Sequence, residues 1–279
     1  MVLQRHSTRR RSHRYLNGLG NKMDIRPIEG QEFSFPQSES DVLPSLPMRM
    51  LALGNSSSGK TTTIINLITD PRFYGRKPWE RVYWCSPTAA VDDALEPLRR
   101  YVEDVLKQDQ EVDPTFHDHI DVAFLTKVIE RQRKITERMK AMTPRPKKGF
   151  GILIVLDDLA DARRNVMQSG QLVDSLFIKA RHWGVSTILS TQKLRLPLIS
   201  PCVRVNVTCV LVWRLRSRYE KTQYLEEYSA LVPQAVLEAM YDEATSIPYN
   251  FLYINTLAKS IDHMFYSGFQ KRFIPSEMM

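Results

Sequence analysis

The stretch Leu51-Ala-Leu-Gly-Asn-Ser-Ser-Ser-Gly-Lys-Thr-Thr-Thr63 constrains this chain more than any other. It matches the pattern G-x-x-x-x-G-K-[ST] at Gly54, Gly59, Lys60 and Thr61. The mostly apolar run Met48 to Leu53 predicts a buried strand ahead of it, and Thr62 to Ile68 predicts the first turns of a helix behind it. A strand, a glycine-bounded loop and a helix N-terminus together make an anion cradle. Gly54 and Gly59 let the backbone curl so that the amides of Asn55, Ser56, Ser57, Ser58, Lys60, Thr61 and Thr62 can face phosphate oxygens. The helix adds partial positive charge at the same place. Lys60 can reach the β- and γ-phosphates of a nucleotide such as ATP, and the Thr61 hydroxyl can ligate Mg²⁺.

A second anchor is Ile152-Leu-Ile-Val-Leu-Asp-Asp158. A continuous aliphatic run suits a parallel strand covered on both faces. It ends in two carboxylates, where the carboxyl end of a strand meets ligands in α/β sheets. Asp157 is placed to hold Mg²⁺, directly or through water, and Asp158 to orient or deprotonate an attacking water. A third aliphatic strand, Val185 to Leu189, closes in Ser190-Thr-Gln192, so Gln192 is expected at the same rim, sensing the γ-phosphate or holding the water.

Strand and helix patterns alternate along the chain, which predicts an α/β fold with a mainly parallel sheet. Asp92 opens an amphipathic helix, Phe124 to Met142 and Gln171 to Trp183 read as two more, and Tyr219 to Tyr228 and Pro233 to Ala244 complete the helical set. Arg81 to Cys85, Arg204 to Trp213 and Tyr249 to Ile254 read as strands. Residues 46–257 form the expected nucleotide-binding domain. Residues 1–45 read as a flexible basic tail and an extended arm, and 258–279 as an irregular C-terminal tail.

Net charge is +8, and the excess gathers where Arg5, Arg9, Arg10, Arg11, Arg14 and Lys22 face no acid before Asp24. That tail fits contact with nucleic acid, a nuclear address, or a solvated end. Arg145-Pro-Lys-Lys148 reads as a further, mobile basic loop, whose Lys147 and Lys148 are expected to face the channel if the chain is a ring motor. The three cysteines, Cys85, Cys202 and Cys209, have no metal-binding spacing and do not form a disulfide framework. No apolar run approaches the roughly 18 residues of a membrane span, and the basic start lacks the apolar segment of a signal peptide. An intracellular, soluble protein is expected.

Gly54 to Thr61, the aliphatic strand closing in Asp157-Asp158, Ala180-Arg-His182 ahead of a strand, and Ser190-Thr-Gln192 resemble the viral DNA-packaging ATPases. These are the poxvirus-like and large-DNA-virus branch of the FtsK–HerA translocase superfamily. The order and spacing run over about residues 46–256. The Ser-Thr-Gln end after Ala-Arg-His is the discriminating part. The resemblance implies a RecA-like P-loop NTPase core, a homo-oligomeric ring, and ATP-driven threading of double-stranded DNA into a capsid, with capsid or portal-vertex proteins as partners. It carries Lys60, Thr61, Asp157, Asp158 and Gln192 onto the motifs of that group. It also implies an arginine finger acting in trans, for which Arg204 and then Arg181 are the candidates. Many translocases of the wider superfamily have Glu where this chain has Asp158. Two readings from other classes stand beside the motor: a nucleoside or nucleotide kinase, and a nucleotide-dependent switch or scaffold without turnover.

Overall fold

The computed structural model of the chain describes residues 33–158, 166–194 and 199–278. The basic tail expected at the N-terminus lies, up to residue 32, outside the described residues. Five strands carry the centre of the fold: β1 (Arg49–Leu53), β2 (Arg81–Cys85), the two-residue β3 (Phe116–His117), β4 (Ile152–Asp157) and β5 (Val185–Thr191). β6 (Cys209–Trp213), β7 (Phe251–Asn255), β8 (Phe265–Ser267) and β9 (Lys271–Arg272) follow. Among the described residues they make one nine-stranded sheet in the order β3-β2-β4-β5-β1-β6-β7-β8-β9. β3 through β6 in that order are all parallel, and β7, β8 and β9 add antiparallel.

The aliphatic runs explain the centre. In β4, Ile152, Ile154 and Leu156 enter one buried cluster while Leu153 and Val155 enter the other. β1 divides in the same way, Leu51 and Leu53 against Met50 and Ala52. Each strand is therefore apolar on both faces and must be covered on both. Helices α1 (Lys60–Thr69) and α3 (Glu96–Tyr101) cover one face through Ile64, Ile68 and Leu98, with the short α2 (Pro71–Tyr74) between them in sequence. α4 (Val122–Ala141), α5 (Val166–Ile178), α7 (Arg218–Tyr228) and α8 (Gln234–Ser246) cover the other through Leu125, Leu176, Leu225 and Leu237. Each fully buried Leu or Ile contributes about 1.5–3 kcal/mol, so the two-faced strands are what fixes the three layers.

Three departures from the sequence reading have physical causes. The strand expected from Arg204 begins only at Cys209. Residues Pro201–Asn206 form a helix, α6, because Ser200 caps it by accepting from the Val203 amide and proline suits the first helical position. Val205, part of the alternation that resembled a strand, is 76% exposed. The C-terminal segment, expected to be irregular, supplies β8, β9 and the short α9 (Pro275–Met278), and its Phe265 and Phe273 are buried in the core. Residues 33–45 lie against the sheet's amino end. Phe35 fills space that only glycines leave open: a Cβ on Gly149 would stand 2.5 Å from its ring, and one on Gly184 2.8 Å.

Candidate active site

All parallel strands end on one rim, and the phosphate-loop motif, Asp157, Asp158 and Gln192 stand there together. Gly54 leaves β1 and donates its amide to the Thr191 carbonyl of β5 at 3.0 Å. A Cβ on Gly54 would come within 2.8 Å of Ser58 Oγ and 2.9 Å of Trp213 Cβ. Only glycine fits that closure. Gly59 caps α1 with φ 99°, and Ser57 also has positive φ, 61°. No side chain caps α1 and no acid stands in its first turn, so its leading amides are open to an anion.

Lys60 is buried and folds back across the loop, donating to the carbonyls of Gly54 and Asn55 at 2.8 Å each. Burial pushes its ammonium below the ordinary lysine range, and Asp157 and Asp158 pull it back up. Asn55 donates to the Arg214 carbonyl at 2.8 Å and so ties the loop to the end of β6. Ser56, Ser57 and Thr62 are exposed, and the hydroxyl of Ser58 is buried without a hydrogen-bond partner.

Asp157 is the last residue of β4, opposite Ser190 in register. Thr61 Oγ1 donates to its Oδ2 at 3.3 Å, while its Oδ1 is buried with no partner. Burial raises its pKa, opposed first by the neighbouring Ser190 hydroxyl and then by Lys60. An orphaned buried carboxylate oxygen beside a threonine hydroxyl fits a divalent cation. Mg²⁺ in nucleotide sites takes one or two carboxylates plus phosphate oxygens and water. Asp158 turns outward at φ 48° and accepts from Gln192 Nε2 at 3.0 and 3.2 Å. The acid and the amide, from adjacent strands β4 and β5, thus hold each other at the rim.

Arg204 and Arg181 are not brought to this rim. They precede β6 and β5 and stand at the amino edge, where Arg49 begins β1. The Arg204 guanidinium lies 3.0 Å from Glu227 Oε1 and donates to the Ile199 carbonyl at 2.9 Å. Arg181 is exposed. Arg49 is 7% exposed, with its pKa lowered by burial and by Arg181. The three arginines line a cavity of about 350 Å³ with Glu227 among them.

Two neighbours of the phosphate loop escaped the sequence reading. Trp213 packs on Gly54, and Tyr249 packs on Gly59, its side chain 3.6 Å from where a Cβ would be. Trp213 read only as the end of an apolar strand, and Tyr249 as the start of another. Nothing local distinguishes an aromatic residue that will flank a loop brought from about 160–190 positions earlier in the chain.

Fold and site define the class: an α/β P-loop NTPase of RecA-like architecture, with the acid-bearing β4 one strand removed from β1. No protein-family model matches the chain, and no curated protein matches it. Solved structures do. The genome packaging NTPase B204 from Sulfolobus turreted icosahedral virus 2, in complex with AMP, is 16% identical, covers 77% of this chain and 95% of its own, and gives a TM-score of 0.47. EssC (ATPases 2 and 3) from Geobacillus thermodenitrificans is 15% identical over 63% of this chain and 34% of its own, with a TM-score of 0.44. The pCW3 conjugation coupling protein TcpA, in monomer form with ATPgS, is 12% identical over 76% and 58%, with a TM-score of 0.47. The first is of the kind the sequence resembles. At identities of 12–16% none of them assigns this chain a substrate or a partner.

Proposed function

We propose that the protein is an ATPase that drives double-stranded DNA through a homo-oligomeric ring during packaging of a viral genome into a capsid, with a capsid or portal-vertex protein as its dock. The observation that carries the hydrolytic reading is the convergence of Lys60 and Thr61, Asp157, and the Asp158–Gln192 pair from three adjacent strand ends. The loop amides and Lys60 bind the β- and γ-phosphates. Thr61 and Asp157 would hold Mg²⁺, whose charge offsets that of the phosphate oxygens. Asp158 accepts the proton of a water attacking the γ-phosphate, and Gln192 fixes the direction of that carboxylate. The net charge of +8 and the sequence resemblance support DNA as the polyanion.

Phosphate release from ATP and Mg²⁺, measured with and without duplex DNA across a salt series, tests both parts. The expected result is hydrolysis that DNA accelerates regardless of sequence, with DNA affinity falling steeply as salt rises. Hydrolysis indifferent to DNA removes the motor and leaves a nucleotide switch. Phosphoryl transfer to a nucleoside in place of water makes the protein a kinase.

A further inference from the structure

The loop and the acids fix the direction in which a nucleotide lies. Asp157, Asp158 and Gln192 stand beyond β1 on the β4–β5 side, so the γ-phosphate points that way. The ribose and base must then extend to the opposite side, toward β6 and β7. There the turn Ile247–Asn250, between α8 and β7, rises beside the loop. A cleft of about 620 Å³ lies between them, lined by Ser56 and Ser57 on one wall and by Arg214, Ile247, Pro248 and Tyr249 on the other.

We propose that Tyr249 is the platform on which the base of the bound nucleotide stacks. This rests on the nucleotide reading given above and adds the end of the ligand that the motifs leave unassigned. Three observations support it. Tyr249 has φ 62°, a conformation rare for a bulky residue, yet the residue is 75% exposed, so burial does not account for that backbone. The turn is held rigid from beneath. Trp213 Nε1 donates to the Tyr249 carbonyl at 3.0 Å, and Asn250 Nδ2 donates to Ala244 O at 2.9 Å and to Ser267 Oγ at 2.7 Å. Trp213 in turn packs on Gly54, so the platform and the phosphate loop share one support. Ile247, 59% exposed, extends the apolar surface.

The side-chain amide nitrogens at hand already donate elsewhere: Asn55 Nδ2 to Arg214 O, and Asn250 Nδ2 to Ala244 O and Ser267 Oγ. Stacking on Tyr249 tolerates different bases because each has a π-face. ATP and GTP are expected to bind with similar affinity.

The test is calorimetric titration of the whole chain with ATP and, separately, with inorganic tripolyphosphate, both with Mg²⁺. Tyr249→Ala is expected to weaken ATP roughly 5–100-fold and to leave tripolyphosphate unchanged. Tyr249→Phe keeps the ring and should keep ATP affinity. Tyr249→Gly separates binding from folding. Glycine relaxes at positive φ, so its melting temperature should rise while ATP affinity falls as in the alanine variant. Equal losses for ATP and tripolyphosphate, or unchanged ATP binding in Tyr249→Ala, overturn the platform while leaving the phosphate site intact. Absence of tripolyphosphate binding to the unmutated chain overturns the phosphate site itself, and the platform with it.

Discussion

At the carboxyl rim of the sheet, Ser58 Oγ and Asp157 Oδ1 are buried without partners, and Ser57, Asp158 and Tyr249 all hold positive φ. At the amino rim Arg49 also leaves a buried Nε without a partner, but among the described residues no non-glycine residue beside it holds positive φ. Arg204 is engaged by Glu227 and Ile199, Lys148 lies 3.5 Å from Glu80, and the sharp turn into β5 goes to a glycine, Gly184, at φ 77°. Ser34 pins the loop before β4 by donating its amide and its hydroxyl to the Lys147 carbonyl, at 2.9 Å each. Where the chain needs only to turn, it uses glycine at no steric cost. Where non-glycine residues hold such a conformation beside open polar groups, strain and unmet hydrogen bonding coincide, which is the pattern of a functional site. Lys107, also at positive φ, ends a helical turn.

The largest effect that separates the rims is expected at Lys60. Lys60→Ala removes the buried ammonium that folds across the loop, so under the proposed function phosphate release should be lost while circular dichroism shows an intact fold. Near-normal turnover in this variant would take Gly54–Thr61 out of the active site. Next comes Asp158→Asn, which keeps size and polarity but cannot take a proton. ATP should bind and turnover should fall by about two to four orders of magnitude. An unchanged rate would show that Asp158 is not the base and leave Gln192 to orient the water.

The comparison sharpens if a ring sets the amino rim of one subunit against the carboxyl rim of the next. Arg204→Ala and Arg181→Ala then each lose hydrolysis but regain part of it when mixed with Lys60→Ala subunits, which still carry both arginines. Arg204→Ala should also melt at lower temperature, because Glu227 loses its partner, whereas the exposed Arg181 can be removed without that loss. If co-assembled mixtures never regain activity, neither arginine acts in trans, and the amino rim is structural only.

The smallest effect concerns stability and pH. The folded pKa of Asp157 is raised, chiefly by burial. Its contribution to stability is therefore complete below the unfolded carboxylate value, about pH 4, and is lost as pH rises through the folded value. Asp157→Asn should melt above the unmutated protein at neutral pH, with the gap closing toward pH 4. Mg²⁺ with ATP should narrow the gap from the other side by meeting the carboxylate. A gap that does not change with pH would mean that the Asp157 carboxylate is already satisfied.

The sequence by itself determined what depends on neighbours along the chain. A glycine-bounded loop followed by Lys-Thr dictates the anion cradle. Aliphatic runs five to seven residues long dictate two-faced parallel strands, and an acid or amide just past such a run falls at the carboxyl rim. The placement of Lys60, Thr61, Asp157, Asp158 and Gln192 at one rim was legible for that reason. The tertiary structure alone decided what depends on partners far apart in sequence. Arg204 lies in a helix because Ser200 and Pro201 outweigh an alternation that would have suited a strand, and it meets Glu227 only through folding. Phe265 and Phe273 join the core because β7 offers an unpaired edge to so short a strand as β8. Tyr249 reaches the phosphate loop because β7 runs antiparallel to β6 and so starts at the rim where β6 ends. Strand order and direction are set by which faces bury each other across the sheet, and no local window of residues carries that information.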